Sequence, residues 1–315
     1  MGEQHPEGFQ GEIAEPSPLP QPTFIEKHGI SLVLFTFISL ILIFFLYQIV
    51  GGVITYILFG MQLNAVNTTG YRVATALGQI LFILIPTIIL VRLVTHRPTE
   101  YLRFRAPKFA AILTALIGMF SLQQVLQVYM VFQEKIPLPT ELQSIMQQFK
   151  DMFDTLYKQL VGAHTIGELI VVLVVVAVVP AVTEELMFRG LIQRNLERVL
   201  TPVGGMMVTG VIFAGYHLNP FSFIPLVAIG MYLGFLAMRS GSIWMSMIGH
   251  FANNALAVFA LYGNVPDDYV IFGNSTEMSL PVLFITFWFF GLLFILSTLF
   301  FIRITRQKET LLDCA

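Results

Sequence analysis

Thirty consecutive residues, Ile30 to Phe59, carry no charged side chain. A helix needs about 20 apolar residues to cross the hydrocarbon core of a bilayer. A run of this length leaves a soluble domain no water-facing side, so the chain is expected to be an integral membrane protein. Composition says the same of the rest of the molecule. Of 315 residues, 56% are hydrophobic and 11% are charged, against about 25% charged in an ordinary soluble chain. The net charge is -2, and no basic patch points to nucleic acid.

Eight apolar segments are predicted as spans: about 30–59, 71–94, 109–132, 167–188, 203–217, 221–238, 242–262 and 280–302. The fold class is therefore expected to be all-α, a polytopic transmembrane bundle of about eight helices. The first span is long enough to tilt, or to kink at Gly51-Gly52. Pro86 interrupts the second, which a packed bundle tolerates. The fifth and sixth are short and break apart at His217-Leu218-Asn219-Pro220, because Pro220 has no N–H to give a helix. Residues 1–29 read as a polar, flexible N-terminal tail, 30–302 as the bundle and 303–315 as a cytoplasmic C-terminal tail. The first 26 residues, with Glu3, Glu7, Glu12, Glu15 and Glu26, lack the basic start and cleavage site of a signal peptide. Cys314 is the single cysteine, which excludes an intrachain disulfide. A prenylation box would need that cysteine at Leu312, and a myristoylation signal after Gly2 would need Ser or Thr at Pro6.

Lys and Arg in short loops set orientation. Arg97, Arg103, Arg105 and Lys108 follow span two, Arg189, Arg194 and Arg198 follow span four, Arg239 follows span six, and Arg303, Arg306 and Lys308 follow span eight. All fall on one side if both termini are cytoplasmic. The loops 60–70 and 263–279 hold no Lys or Arg, as outside loops should, and carry the sequons Asn67-Thr68-Thr69 and Asn274-Ser275-Thr276. Arg72 runs against this pattern, as do Lys135, Lys150 and Lys158. Thr140 to Val161 has mixed polarity and reads as an amphipathic helix on the outer face. No internal repeat supports an inverted-repeat transporter.

Three spans carry polar groups that a bilayer penalises. Glu184 and Glu185 end a stretch from Leu169 that has no other charge. A carboxylate in hydrocarbon costs about 3 kcal/mol or more and usually faces the bundle interior. Glu185 and Arg189 are spaced for an i,i+4 ion pair that closes a helix end. Glu184 lies about 100° around the helix from Glu185 and needs another partner. His217 is four residues after Phe213, whose ring can orient it. His250 shares a face with Asn254. Taken singly, each set has a plainer explanation: a helix end, an interfacial histidine, an interhelical polar clamp. Together they supply a carboxylate, two imidazoles and an amide, the parts of a water-activating hydrolase. Gly-x-Ser-x-Gly, a Cys-His pair and His-Glu-x-x-His are all absent.

Glu-Glu-x-x-x-Arg at 184–189, Phe-x-x-x-His at 213–217 and His-x-x-x-Asn at 250–254 resemble, in order, the three motifs of the CAAX-protease and bacteriocin-processing family. That family includes the Ras-converting CAAX endopeptidases. The resemblance covers about 167–262 as a catalytic core and does not extend to the first three spans or the tails. It implies an all-helical fold around a hydrophilic cavity and an endopeptidase acting on a peptide or membrane-protein substrate. It also implies roles: Glu184 and His217 activate water, His250 and Asn254 stabilise the oxyanion, and Glu185, Arg189 and Phe213 support the site. The expected mechanism uses no cofactor. The alternative is zinc held by Glu184, His217 and His250, since two histidines and a carboxylate suit that metal, although an amide such as Asn254 is a poor ligand. Two other functions stand beside the protease: a non-catalytic scaffold or immunity protein of the same fold, and a transporter or channel. One difficulty remains in this reading. If span four ends near 188, His217 lies roughly 20 Å from Glu184 in depth, unless 189–200 folds back as a surface helix or the span boundaries lie elsewhere.

Overall fold

A computed structural model describes residues 21–60, 67–137, 139–263 and 279–305. The expectations for residues 1–20, for Asn274-Ser275-Thr276 and for residues 306–315, including Leu312 and Cys314, lie outside these described residues. Among the described residues, nine main helices follow one another: α1 Leu32–Phe59, α2 Thr68–Val94, α3 Phe109–Glu134, α4 Thr140–Val161, α5 Ile166–Val199, α6 Pro202–Tyr216, α7 Phe223–Ser240, α8 Ile243–Tyr262 and α9 Leu280–Ile304. There is no strand among the described residues. The protein is a polytopic helical membrane protein. Six helices (α1, α2, α3, α5, α7 and α9) are long and apolar enough to cross a bilayer. The fifth expected span is the shorter α6, and the seventh is α8, made less apolar by His250, Asn253 and Asn254.

The main correction concerns α5. It does not stop at 188. It runs on through Arg189, Arg194 and Arg198 to Val199, and the chain reverses only at Leu200-Thr201. Glu184 lies fifteen residues before the end of α5, and His217 fifteen residues after the start of α6. At 1.5 Å per residue both sit about 22 Å from the turn, at the same depth. The ring contact Phe188–Phe213, 5.2 Å between centroids, fixes that register. The two helices meet closely at the turn, where a Cβ on Gly205 would lie 2.7 Å from the Glu197 backbone nitrogen. Small residues likewise let α6 and α7 touch: a Cβ on Gly230 would lie 3.0 Å from the Gly210 carbonyl oxygen. Between α6 and α7 the chain turns through Leu218 at φ 51° and Pro220, and Asn219 Oδ1 accepts from the N–H groups of Phe221 and Ser222 at 3.0 and 3.3 Å.

Four stretches of these helices are π-helical: Phe45–Gly51 in α1, Ile80–Leu84 in α2, and Leu173–Val178 and Leu186–Ile192 in α5. Their positions follow the sequence. The first ends at Gly51-Gly52, the second and third lie just before Pro86 and Pro180. A proline deprives the carbonyl four residues back of its donor, and the helix widens there.

The basic groups collect at one end of the bundle. Arg103 pairs with Glu197, Arg194 donates to the Tyr101 carbonyl at 3.1 Å, and Lys108 and Arg239 donate to carbonyls of Ile304 and Ile302 at 3.1 and 2.9 Å. Arg72, the exception to the charge pattern, is buried at the other end. It donates to the carbonyls of Gln159 at 3.1 Å, Leu160 at 2.8 Å and Gly162, and so caps the end of α4. Its role is to close a helix, which accounts for a basic residue at that end. The amphipathic segment has the expected bounds, and its Ile145, Phe149, Met152 and Leu156 form an exposed apolar stripe.

Candidate active site

Pro180 is where the site begins. It has no N–H, so the carbonyl of Val176 loses its helical donor. Asn254 Nδ2 on α8 takes that place at 2.8 Å, and Asn254 Oδ1 accepts from Asn253 Nδ2 at 3.0 Å. The amide thus binds α8 to α5 just before the glutamates. An unfilled buried carbonyl would cost about 1–3 kcal/mol.

Next come the two glutamates, which point apart as expected. Glu185 is fully buried, and its Oε1 accepts from Arg189 Nη1 and from His250 Nδ1, both at 2.8 Å. The i,i+4 ion pair is therefore present, and it has a third member that spacing did not reveal. Arg189, also buried, reaches on with Nη2 to the Gly230 carbonyl at 2.8 Å and ties α5 to α7. Glu184 takes no part in this cluster. It is partly exposed, and its Oε2 is buried without a hydrogen-bond partner.

Phe213 is the centre around which the rest is arranged. Its buried ring lies 4.6 Å from that of His217 and 5.9 Å from that of His250, centroid to centroid, and the Arg189 guanidinium sits 4.7 Å above it. His217 Nδ1 bonds the Phe213 carbonyl at 2.8 Å, and the ring is otherwise exposed. The three helices thus bring Glu185, Arg189, Phe213, His217, His250 and Asn254 into one neighbourhood, with Glu184 beside it on α5.

These hydrogen bonds dictate tautomers. A carbonyl and a carboxylate only accept, so Nδ1 of both His217 and His250 carries the hydrogen. Each neutral ring then presents an Nε2 lone pair. His217 can take a proton there. His250 can donate from Nε2 only as an imidazolium.

Several groups in this neighbourhood were not singled out from the sequence. Thr183 Oγ1 donates to Gln79 Oε1 at 3.0 Å, Gln48 Nε2 donates to the Tyr216 carbonyl at 3.0 Å, and Gln193 Nε2 donates to the Gly234 carbonyl at 3.1 Å. The available signal was a lone amide inside an apolar span, which always needs a partner. Among the described residues, no three His, Cys, Asp or Glu side chains gather into a group suited to a metal ion. Glu184, His217 and His250, the set considered for zinc, are not so gathered, and His250 has only Nε2 open.

The fold and this buried carboxylate–imidazole cluster define a polytopic membrane protein with a polar centre between α5, α6 and α8. Residues 166–256 match the family model of the type II CAAX prenyl endopeptidase Rce1-like proteins, and this stretch holds all three motifs. That segment is thus similar to the CAAX prenyl endopeptidases that this family model describes. No curated protein and no solved structure matches it.

Proposed function

We propose that the protein cleaves peptide bonds within the membrane by attack of water. Glu184 takes a proton from water, helped by the His217 Nε2 lone pair. The hydroxide adds to the carbonyl carbon. His250, as imidazolium, and the second N–H of Asn254 donate to the oxyanion. Collapse breaks the C–N bond, and the proton held by Glu184 passes to the leaving amine, giving a free acid and a free amine. The observation that carries this reading is the common depth of Glu184 and His217, with the rings of His217 and His250 both in contact with that of Phe213. Glu184 Oε2 adds support, since a buried carboxylate oxygen without a donor is costly unless something binds there. The substrate class is a peptide or membrane protein presented from the bilayer.

The purified chain in lipid nanodiscs is expected to cleave a membrane-anchored peptide, and exhaustive chelation is expected to leave the rate unchanged. The zinc mechanism predicts inactivation by chelation and recovery with zinc alone; that result would overturn the water-only mechanism and make Glu184, His217 and His250 ligands. Absence of cleavage for every peptide tried would favour the scaffold reading.

The basic end of the bundle is assigned to the cytoplasm, and α4 to the outer face. The motivation is that the contacts of Arg103, Arg194, Lys108 and Arg239 lie at one end, with both ends of the described chain. Reporter fusions at both termini are expected to give a cytoplasmic signal. A signal from outside at either terminus would sink this orientation.

A further inference from the structure

A row of three carboxamides runs from α3 across α8 to α5. Its first member, Gln123, lies in α3, outside the three motifs, and its second, Asn253, fills an unspecified position of the third motif. Packing between α3 and α8 brings them together. Met119 is buried beside Gly249, where a Cβ would lie 3.7 Å from the Met119 Cε. One helical turn further along each helix, on the same faces, come Gln123 and Asn253. Gln123 Nε2 donates to the Asn253 carbonyl oxygen at 3.2 Å and to Asn253 Oδ1 at 2.8 Å. Asn253 Nδ2 donates to Asn254 Oδ1 at 3.0 Å, and Asn254 Nδ2 donates to the Val176 carbonyl at 2.8 Å.

The direction of this row is fixed at both ends. A backbone carbonyl only accepts, so the Gln123 atom beside the Asn253 carbonyl is its nitrogen, and the Asn253 side-chain atom that shares that nitrogen is an oxygen. The other Asn253 atom is then a nitrogen, which demands an oxygen from Asn254. From the opposite side the Val176 carbonyl, left without its helical donor by Pro180, demands the Asn254 nitrogen. Both ends therefore require the same orientation of all three amides. Reversing Asn254 alone would set its Oδ1 against the Val176 carbonyl and its Nδ2 against Asn253 Nδ2, acceptor on acceptor and donor on donor. Two hydrogen bonds between part-buried groups would be lost at once.

We propose that Gln123 and Asn253 are positioning residues that hold the Asn254 carboxamide in the one orientation that offers an N–H to the oxyanion. This rests on the proteolytic reading above. An amide nitrogen carries two hydrogens; the Val176 carbonyl takes one, and the second is the donor of the mechanism. A reversed Asn254 would present a carbonyl oxygen there instead and repel the developing negative charge. Neither Gln123 nor Asn253 touches the reacting atoms. A plain clamp between α3 and α8 would use the same bonds, but it would not act on turnover through Asn254.

The test compares single and double variants of the full chain in nanodiscs, with the anchored peptide. Asn253→Leu keeps the branched shape and Gln123→Met the length, and each removes one link of the row. In each, kcat is expected to fall about 3- to 10-fold, the range for one neutral hydrogen bond, with KM within about twofold. In an Asn254→Ala background either substitution is expected to cost less than about twofold more, because the amide it orients is gone. Gln123→Met, the milder change, reads the row even if Asn253→Leu does not fold. An unchanged kcat in the folded single variants would overturn the proposal and leave a clamp. So would losses that multiply with that of Asn254→Ala, since the two residues would then act elsewhere. Thermal melting of the same set reads the row without substrate, and the losses for Asn253→Leu and Asn254→Ala are expected to be non-additive. Wild-type protein that cleaves nothing would overturn the proteolytic reading, whereas additive melting losses would overturn the row itself.

Discussion

Glu184→Ala is expected to reduce cleavage to the background rate while leaving the protein as stable as the wild type. Both halves follow from its surroundings. Glu184 makes no hydrogen bond through its buried Oε2 and no ion pair, so its removal breaks no link between helices. In the proposed mechanism it is the group that takes the proton from water, and no neighbour replaces it: the Glu185 carboxylate is fully buried and bound through Oε1 to Arg189 and His250. Asn254→Ala is expected to behave differently on both counts. Loss of one oxyanion donor costs about 10²–10³ in turnover, so a trace of activity should remain. That side chain also fills the Val176 carbonyl, so Asn254→Ala should lose about 1–3 kcal/mol of stability. Turnover and thermal melting on the same preparations separate the two. A Glu184→Ala protein that retains a tenth of the wild-type rate would exclude it as the base.

The sequence made some of this legible, and the reasons are local. Charge-free runs announce spans because hydrocarbon penalises every charge, and the mixed polarity of Thr140 to Val161 sets the bounds of α4. Spacing of four residues predicts Glu185 with Arg189 and Phe213 with His217, because one helix holds both members. The end of α5 was obscured by the very signal used for topology. Arg189, Arg194 and Arg198 look like a loop, but Arg189 is buried against Glu185, and Arg194 meets Glu197 at 3.1 Å within the helix. Contacts between helices leave no periodic trace. Glu185 and His250 are 65 residues apart, and nothing in either motif says that they touch. The Asn254–Val176 bond becomes legible only when Pro180 is read as a missing donor four residues on. Gln79, which accepts from Thr183 Oγ1, was hidden because a neutral polar residue within an apolar span is ordinary until its partner is known.

The Glu185–Arg189 pair should give the largest stability effect in the molecule. Both side chains are fully buried, at 0% exposure. Removing one member of such a pair leaves a charge without compensation and costs about 3–5 kcal/mol. Arg189→Met keeps much of the volume and removes the charge together with the bond to the Gly230 carbonyl, so it should be strongly destabilised. Replacing both members, Glu185→Gln with Arg189→Met, should be less harmful than Arg189→Met alone, because no net charge is then stranded. Thermal melting of both variants on matched preparations checks that order. A double variant as unstable as Arg189→Met alone would mean that the stranded Glu185 charge is not what the single substitution costs, and that Arg189 holds the bundle through its bond to the Gly230 carbonyl.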